Sequence, residues 1–473
     1  MSSKIFSPEF LAEHRKSEKD FTRDRSLTFP RLISFMLNMV NGSIQSELSR
    51  FFQVLDDSPV ALTNVTAAAF CKARKKLSYT AFKDLNANLI HTFYQSRNVQ
   101  RWRGFRLLAV DGSVTQLPSS PELHSHFGKA RAHSIRPAIR MSQLYDIKNQ
   151  LTVDLQVNSH STGERNMALQ HLEQSNDKDL ILYDRGYPAV WFFKVHMQLG
   201  INFCARAVVD SSNEIKAFVK SGKRDAVVEF RCVEKSLRRC KKDGLPTAPI
   251  KLRLIKITLT TGETEILMSS LFSNKDYPYS IFSDLYHQRW SVEEDYKIMK
   301  SRLNIENFSG KSVEAVLQDI HAKTLSKNIA AVAISETQVL TVERCKTRIG
   351  IYKVNFTHAL CQLKDDIVRF LMRIARSDLS RLLIESIVTS LNAYRPGRSC
   401  QRIKDKGIPF TFFIRAGHDG TGTRRAIESI TTGLRWWVVQ EPLICKGDFQ
   451  LDFTQQCEEL GLSMAASLDA DII

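Results

Sequence analysis

The spacing of apolar residues changes near Gly104 and again near residue 280, and these changes divide the chain into regions of different structure. Before residue 100 the apolar residues recur at helical spacing. One helix is predicted from Pro30 to Gly42, because proline favours the first turn of a helix and glycine its end. Two further helices are predicted on either side of a break near Ser78. The first region is therefore predicted to be helical.

The region after Gly104 combines strands with helices. Two near-continuous apolar runs, "FRLLAVDGS" and "DLILYDRGYPA", predict strands buried on both faces, ending at Asp111 and at Asp184. A hairpin with its turn at Asp146 to Asn149 lies between them, and helical stretches follow each run. This alternation is typical of a mixed α/β layer architecture.

Strand patterns continue from about 209 to 272 without a helix of good length, which predicts a β-rich insertion. The insertion contains the basic stretch "SLRRCKKDG". A solvated turn is the preferred interpretation of this stretch, and contact with phosphates is the other. Helical patterns return after residue 280 and include the long segment "VEAVLQDIHAKTLSKNIAAVAIS".

Composition and charge indicate a globular protein with an anionic partner. The 473 residues are 43% hydrophobic and carry a formal net charge of +17. Nucleic acid is the leading candidate for the partner, although ribosomal proteins and basic enzymes share this bias. The nine cysteines are scattered and form no C-x-x-C pair, which argues against a disulfide scaffold or a zinc ribbon. With no signal-like start and no membrane-length apolar run, we expect a soluble, intracellular protein that does not contact a membrane.

A basic cluster ends the first of the two helices around Ser78. Helix–turn–helix binding of DNA is one interpretation of this pair, and a solvated basic helix face is the other. The cluster comprises the candidate DNA-binding residues Lys72, Arg74, Lys75 and Lys76.

The stretch "YHQRWSVEEDYKIMK" carries charges of both signs on one predicted helix. At about 100° per residue, four of its polar side chains share a stripe about 60° wide that borders the apolar face. These four are Tyr286, Arg289, Glu293 and Lys300. Glu294 and Asp295 are predicted to face solvent, and Trp290 to pack against the core. Glu293 is therefore the candidate carboxylate of a site, with a surface ion pair to Arg289 as the alternative.

Three carboxylates could meet if the strands that end at Asp111 and Asp184 are parallel neighbours, since both would then emerge at one edge of the sheet. The helix with Glu293 would close the cluster. Oxygen ligands without cysteine or histidine suit Mg²⁺, with Mn²⁺ as the other candidate. Because close carboxylates repel, we expect at least one of them to have a raised pKa without metal.

The Y-x-x-R-x-x-x-E-x-x-x-x-x-x-K spacing from Tyr286 to Lys300 resembles the signature of the IS-four family of bacterial insertion-sequence transposases. "VDGS" and "YDRGY" look like the family's first and second acid motifs, and "TAAAFCKARKKLSYTAF" is similar to its N-terminal DNA-binding region. The resemblance covers residues 60–410 approximately. Because the three acid motifs are well separated and occur in the right order, it is specific.

This resemblance implies an RNase H-like core with a β-strand insertion before the Glu motif, and cut-and-paste transposition by a DDE triad. Asp111, Asp184 and Glu293 would be the catalytic metal ligands, and Tyr286, Arg289 and Lys300 would hold phosphates at the transposon end. The partners implied are the terminal inverted repeats, target DNA and a second copy of the chain in the synaptic complex. We therefore expect a cytoplasmic bacterial protein associated with the nucleoid.

The predicted fold class is α/β, an RNase H-like mixed sheet with a β-rich insertion between helical N- and C-terminal regions. Alternatives to a transposase are an inactive protein that only binds transposon ends and a metal-dependent nuclease without strand transfer. The final segment is unlike the short basic ending of such transposases and is interpreted as a read-through or frame-shifted extension. The predicted domains are 1–100 (DNA-binding), 101–208 (core), 209–274 (insertion), 275–345 (core with the catalytic helix), 346–413 (helical) and 414–473 (atypical tail).

Overall fold

The computed structural model describes residues 1–23, 25–38, 42–96, 99–129, 136–259, 262–394, 409–433 and 436–469. The chain forms two compact units, Met1–Tyr394 and Arg395–Ile473. All residues predicted to form the functional site lie in the first unit.

The first unit begins with helices, as predicted. Pro30 lies in the first turn of its helix, but that helix ends at Leu37 and not at Gly42. The break near Ser78 is confirmed, because no helix covers residues 75–79. The helices are α1 (Ser2–Ile5), α2 (Pro8–His14), α3 (Phe29–Leu37), α4 (Ile44–Leu55), α5 (Ala67–Arg74) and α6 (Thr80–Tyr94).

The core that follows alternates strands and helices, and the predicted hairpin is present with Asp146 and Asn149 in its turn. Its elements are β1 (Arg106–Gln116), α7 (Pro121–Phe127), β2 (Ala138–Asp146), β3 (Leu151–Ser159), α8 (Glu164–His171), β4 (Asp179–Tyr183), α9 (Val190–Gln198) and β5 (Asn202–Ala207). The insertion contributes α10 (Asn213–Lys220), β6 (Asp225–Phe230), α11 (Glu234–Lys242), β7 (Ile250–Thr258) and β8 (Thr264–Ser269).

One eight-stranded sheet joins the core and the insertion in the order β3-β2-β1-β4-β5-β8-β7-β6. Strands β1, β4 and β5 are parallel, whereas the hairpin strands β2 and β3 are antiparallel to their neighbours. The insertion continues this sheet because β8 pairs antiparallel with β5. With helices packed on both faces, the architecture is the predicted α/β mixed sheet.

The insertion departs from the prediction in one respect. Its three strands agree with the β-rich pattern, but α10 and α11 are helices of eight and nine residues. The stretch interpreted as a solvated turn, residues 236–244, lies mostly in α11, so that interpretation is wrong. The helix was missed because it is strongly basic, and only Ser236 and Cys240 are buried on it. Too few apolar positions remain to give a helical period.

Both faces of the sheet are buried, which explains the continuous apolar runs in its central strands. On β1, Leu107 and Ala109 belong to one core, and Leu108 and Val110 belong to the core on the other face. Because side chains alternate along a strand, Asp111 follows Ala109 onto the first of these faces. Helices from the end of the unit cover that face.

The remaining elements of the first unit are mostly helical, and the stretch predicted as one helix around Glu293 is divided into two. They are α12 (Phe282–His287), α13 (Trp290–Ser301), α14 (Val313–Glu336), α15 (Gln338–Arg344), β9 (Ile351–Val354), α16 (Phe356–Leu363), α17 (Asp366–Leu371), α18 (Leu379–Ile387) and β10 (Leu391–Tyr394). The described part of the second unit comprises β11 (Pro409–Phe410), β12 (Phe413–Ala416), α19 (Thr421–Gly433), β13 (Trp437–Val438), β14 (Leu443–Lys446) and α20 (Leu451–Asp469). Strands β12 and β14 pair in parallel.

Helix α14 lies at the centre of the first unit. It contacts α3 and α6 as well as β3, α16 and α18. Its residues Ala322 and Leu325 join the same core as the N-terminal helices and α17. The N-terminal helices are thus packed on the core within one compact unit. None of the helices among the described residues is both long and apolar enough to traverse a bilayer.

Buried polar pairs orient α14 against its neighbours. Lys327 donates hydrogen bonds to Asp295 on α13, at 2.6 Å, and to the Thr152 hydroxyl on β3, also at 2.6 Å. The same Asp295 oxygen accepts a hydrogen bond from the Gln143 amide on β2 at 2.7 Å. Asp295 is only 3% exposed, so the prediction that it faces solvent is wrong. Glu294 does face solvent, as predicted.

Replacing Asp295 with Asn should lower the free energy of unfolding by about 3–5 kcal/mol, because Lys327 would keep a buried ammonium without its carboxylate. Urea unfolding monitored by circular dichroism measures this change. The matched control is Glu294→Gln on the next residue, whose exposed ion pair with Lys297 should contribute no more than about 1 kcal/mol. Equal losses from the two variants would contradict the role given to the buried pair.

Candidate active site

The register of two parallel strands sets the positions of the first two carboxylates. Val110 on β1 pairs with Tyr183 on β4, so Asp111 and Asp184 are the next residues along two neighbouring strands. The condition that their strands be parallel neighbours is therefore confirmed. The predicted end of β1 at Asp111 is wrong: β1 continues to Gln116, where it pairs only with β2.

The backbone of a nearby glycine donates a hydrogen bond to each of these two acids. The backbone N–H of Gly112 donates to Asp111 Oδ1 at 2.9 Å, and that of Gly186 donates to Asp184 Oδ1 at 2.8 Å. A Cβ atom on Gly186 would lie 3.1 Å from Asp184 Oδ1, which is closer than ordinary van der Waals contact. Any larger residue at position 186 would therefore displace the Asp184 carboxylate. This is a physical reason for glycine in the second acid motif.

Helix α13 supplies the third carboxylate. Arg289 lies directly before this helix and donates from Nη2 to Glu293 Oε1 at 2.8 Å. Arg289 is 6% exposed, and its Nε atom is buried without a hydrogen-bond partner among the described residues. The Tyr296 hydroxyl on the same helix donates to the carbonyl oxygen of Asp111 at 3.1 Å. These contacts attach α13 to the strand that carries the first acid.

The electrostatics of the site confirm the expectation of a raised pKa. The pKa of Asp111 is raised from 3.8 to about 6, because burial and, less strongly, the charges of Glu293 and Asp184 outweigh the opposing effects of the Gly112 N–H and Arg289. Burial and not repulsion is the largest cause. The raised pKa means that the ionised form of Asp111 is poorly stabilised at this buried position.

A fourth carboxylate, Glu164 at the start of α8, was missed by the sequence analysis. Its Oε1 lies 3.5 Å from where a Cβ on Gly112 would be, and its Oε2 lies 3.7 Å from the corresponding point on Gly186. Arg140 on β2 lies 3.6 Å from Glu164. The sequence signal for Glu164 was an acidic residue at the start of the helix after β3. It was missed because Glu164, unlike Asp111 and Asp184, does not follow a continuous apolar run.

The other residues of the predicted signature occupy different environments. Tyr286 is 4% exposed and belongs to the core between the sheet and α13, so its ring is a packing residue and is not presented to DNA. Lys300 donates to the carbonyl oxygen of Val114 at 3.0 Å, close to the exposed end of β1. Trp290 is 50% exposed with Arg289 stacked on its ring at 5.1 Å, so its predicted packing in the core is wrong.

The basic cluster of the N-terminal helices is only partly accessible. The prediction that Arg74 binds DNA is wrong, because Arg74 is 4% exposed and paired at 2.8 Å with Asp319 on α14. Lys72 and Lys75 are exposed, and Lys76 lies 3.5 Å from Asp20. A cavity of about 1150 Å³ beside α5 is lined by basic residues among others, namely Lys19, Arg23, Arg25, Lys72 and Lys76.

Among the described residues, the ligand atoms of Asp111, Asp184 and Glu293 do not all lie within 4.8 Å of one another, but those of another group, away from the predicted triad, do. Ligand atoms of Glu13, His14 and Asp84 lie within 4.8 Å of one another. His14 Nε2 lies 3.3 Å from Asp84, and Lys4 donates to the same carboxylate at 2.8 Å. These contacts connect α1 and α2 to α6, which gives the group a structural role.

The chain is similar to known transposases. A family model described as a transposase DDE domain matches residues 102–329. The transposase InsG for insertion sequence element IS4 of Escherichia coli (strain K12) is 24% identical over 273 residues, which cover 56% of this chain and 60% of that protein. The chain therefore matches about 60% of the length of this relative.

Among solved structures, a synaptic complex of the piggyBac transposase with hairpin DNA, determined by cryo-electron microscopy, matches with a TM-score of 0.41 and 13% identity. The match covers 86% of this chain and 89% of the other. The three predicted acids all lie within the region matched by the family model. The sequence resemblance to the IS-four transposases is thus confirmed, with residues 102–329 matching the family of transposase DDE domains.

Proposed function

We propose that this protein is a DNA transposase that binds the ends of an insertion sequence, cleaves them and joins them to target DNA. The observation that carries this proposal is the placement of Asp111 and Asp184 on adjacent parallel strands beside Glu293, within a transposase DDE domain. Two copies of the chain would hold the two ends of the element. Its DNA substrate would associate the protein with the bacterial nucleoid.

The donor set fits a hard divalent cation. Asp111, Asp184 and Glu293 offer only carboxylate oxygens, and Mg²⁺ or Mn²⁺ prefers such ligands. The raised pKa of Asp111 supports this fit, since a cation would offset the burial and the repulsion that favour its protonated form. When bound, the metal would supply Lewis-acid activation of the scissile phosphodiester and of the attacking oxygen.

The protein's own residues would prepare the site for this chemistry. Arg289 holds the Glu293 carboxylate at 2.8 Å, and the Tyr296 hydroxyl links α13 to the backbone at Asp111. Lys300 is half-buried near the end of β1 and would exchange the Val114 carbonyl for a phosphate oxygen. Because Arg289 is buried against Glu293, its role would be to position that carboxylate and not to bind phosphate directly.

Recognition of the element's ends is proposed for the N-terminal helices. The exposed Lys72 and Lys75, together with the basic cavity beside α5, support this assignment. Arg74 would serve this surface only indirectly, by fixing α5 to α14 through Asp319.

Glu293→Gln should lower the rate of cleavage of a labelled DNA that carries the element's own ends by on the order of 10³-fold, because one metal ligand loses its charge. Binding of the ends, measured by gel mobility shift, should persist. Glu294→Gln on the adjacent, exposed position is the matched control and should cleave like the wild type.

The same assay separates the alternatives. If the wild type binds the ends and never cuts them, the protein is the inactive end-binding protein of the first alternative. One that nicks the ends and does not join the 3′-hydroxyl to a target is a nuclease. Equal cleavage by wild type and Glu293→Gln would remove Glu293 from the proposed site.

Asp111→Asn should raise the free energy of unfolding at pH 7.5 without metal by about 2 kcal/mol. The reason is that the pKa of Asp111 is raised in the folded protein. Ionisation of Asp111 therefore destabilises the folded protein as the pH rises from about 4 to about 6. Urea unfolding at pH 5 and pH 7.5 should show the advantage of the variant shrinking at the lower pH. Mg²⁺ should raise the melting temperature of the wild type and not that of Asp111→Asn. A variant less stable than the wild type at pH 7.5 would contradict this account.

A further inference from the structure

A groove of about 590 Å³ lies between the start of α8 and α11, the helix of the insertion that was predicted to be a turn. Residues from the start of α8, the loop after β4, the start of α9 and α11 line it. Glu164 and Gly186 form the end nearest the catalytic carboxylates, because a Cβ on Gly186 would lie 3.7 Å from Glu164 and 3.1 Å from Asp184. One end of the groove is therefore adjacent to Asp184 of the proposed active site.

Four cations on one face of α11 line the other side of this groove. They occupy positions i, i+3, i+4 and i+7, which share one side of a helix. The residues buried on α11, Ser236 and Cys240, lie on a different side. At 1.5 Å per residue the stripe is about 10 Å long, which corresponds to roughly three phosphate steps of a DNA strand. The four cations are Lys235, Arg238, Arg239 and Lys242.

Two of these cations are held in place and two remain available. Arg238 and Arg239 each pair with an acid on their own helix segment, Glu234 and Asp243, and Arg239 also stacks on the ring of Trp191 at 4.8 Å. Within the described ranges no carboxylate lies within 4 Å of the ammonium group of Lys235 or Lys242. Both lysines are exposed. With Arg165, five cations line the groove, against Glu164 in the lining and the two acids paired with Arg238 and Arg239.

The lining favours contact with phosphates over contact with bases. Trp191 is only 9% exposed and lies under Arg239, so it cannot serve as a stacking platform for a base. Lysine and arginine on a groove attract the DNA backbone without regard to sequence. The ends of an insertion sequence have a fixed sequence, whereas target DNA has a variable one. A sequence-independent groove beside the active site therefore suits the target.

We propose that this groove binds the phosphate backbone of target DNA during strand transfer. The inference rests on the proposed transposase function and adds a location for its second DNA substrate. Lys235 and Lys242 provide the unpaired charge, and Arg239 is held in position by Trp191. The insertion thereby extends the sheet and also carries the helix that guides the target strand to Asp184.

An assay of strand transfer with pre-cleaved ends measures the binding of target DNA separately from the cleavage of the ends. Element ends with a free 3′-hydroxyl are mixed with a plasmid target, and joined product is quantified against nicking of uncleaved ends by the same preparation. The ratio of joining to nicking should fall about ten-fold in Lys235→Glu/Lys242→Glu at about 0.1 M salt. Each single change should reduce, by about one, the slope of the logarithm of joining against the logarithm of the salt concentration.

Lys241→Glu is the matched control, since it makes the same change of charge on α11 at an exposed position that does not line the groove. Its joining-to-nicking ratio should stay within about two-fold of the wild type, and circular dichroism should show all variants folded. An unchanged ratio in the double variant, or a parallel loss of nicking and joining, would overturn the assignment to target DNA. A wild type that joins no ends would instead refute the proposed function, and the target groove with it.

Discussion

The buried contact between Lys327 and Asp295 is the constraint on which the geometry of the site depends. Lys327 extends from the central helix α14 and binds α13 and β3 at once, while Gln143 on β2 binds the same carboxylate. Asp295 is two residues from Glu293, so this pair determines where the third proposed metal ligand lies relative to the sheet. Breaking a buried pair costs several kcal/mol because the remaining charge has no partner. Contacts within the protein therefore hold α13 against the sheet.

The proposed active site has this rigid support, but its ionised carboxylates destabilise the folded protein. The register of β1 and β4 brings Asp111 and Asp184 side by side, and burial raises the pKa of Asp111 to about 6. Carboxylates in such a position destabilise the folded chain when ionised. Proteins retain a cost of this kind at sites where a ligand offsets it. In this protein the proposed ligand is a divalent cation, followed by the phosphates of DNA.

The sequence was most informative where local pattern and burial coincide. Asp111 and Asp184 each follow a continuous apolar run, so their places in the sheet could be predicted. Contacts between residues that are distant in sequence could not be predicted. Asp295 appeared exposed on a helical wheel because its partner, Lys327, belongs to another helix, and Arg74 appeared to be a DNA contact because Asp319 could not be foreseen. Helix α11 has too few apolar residues to show a helical period, so the groove it lines became visible only in the structure.

The most direct test of the central claim is the location of bound Mn²⁺ in crystals of the protein with end DNA, from anomalous diffraction. The account predicts a peak among the carboxylates of Asp111, Asp184 and Glu293, absent from crystals of the Glu293→Gln protein. The group of Glu13, His14 and Asp84 provides an internal comparison, because its ligand atoms already lie within 4.8 Å of one another. Mn²⁺ found only there, or at neither place, would contradict the assignment of the three acids as the metal site.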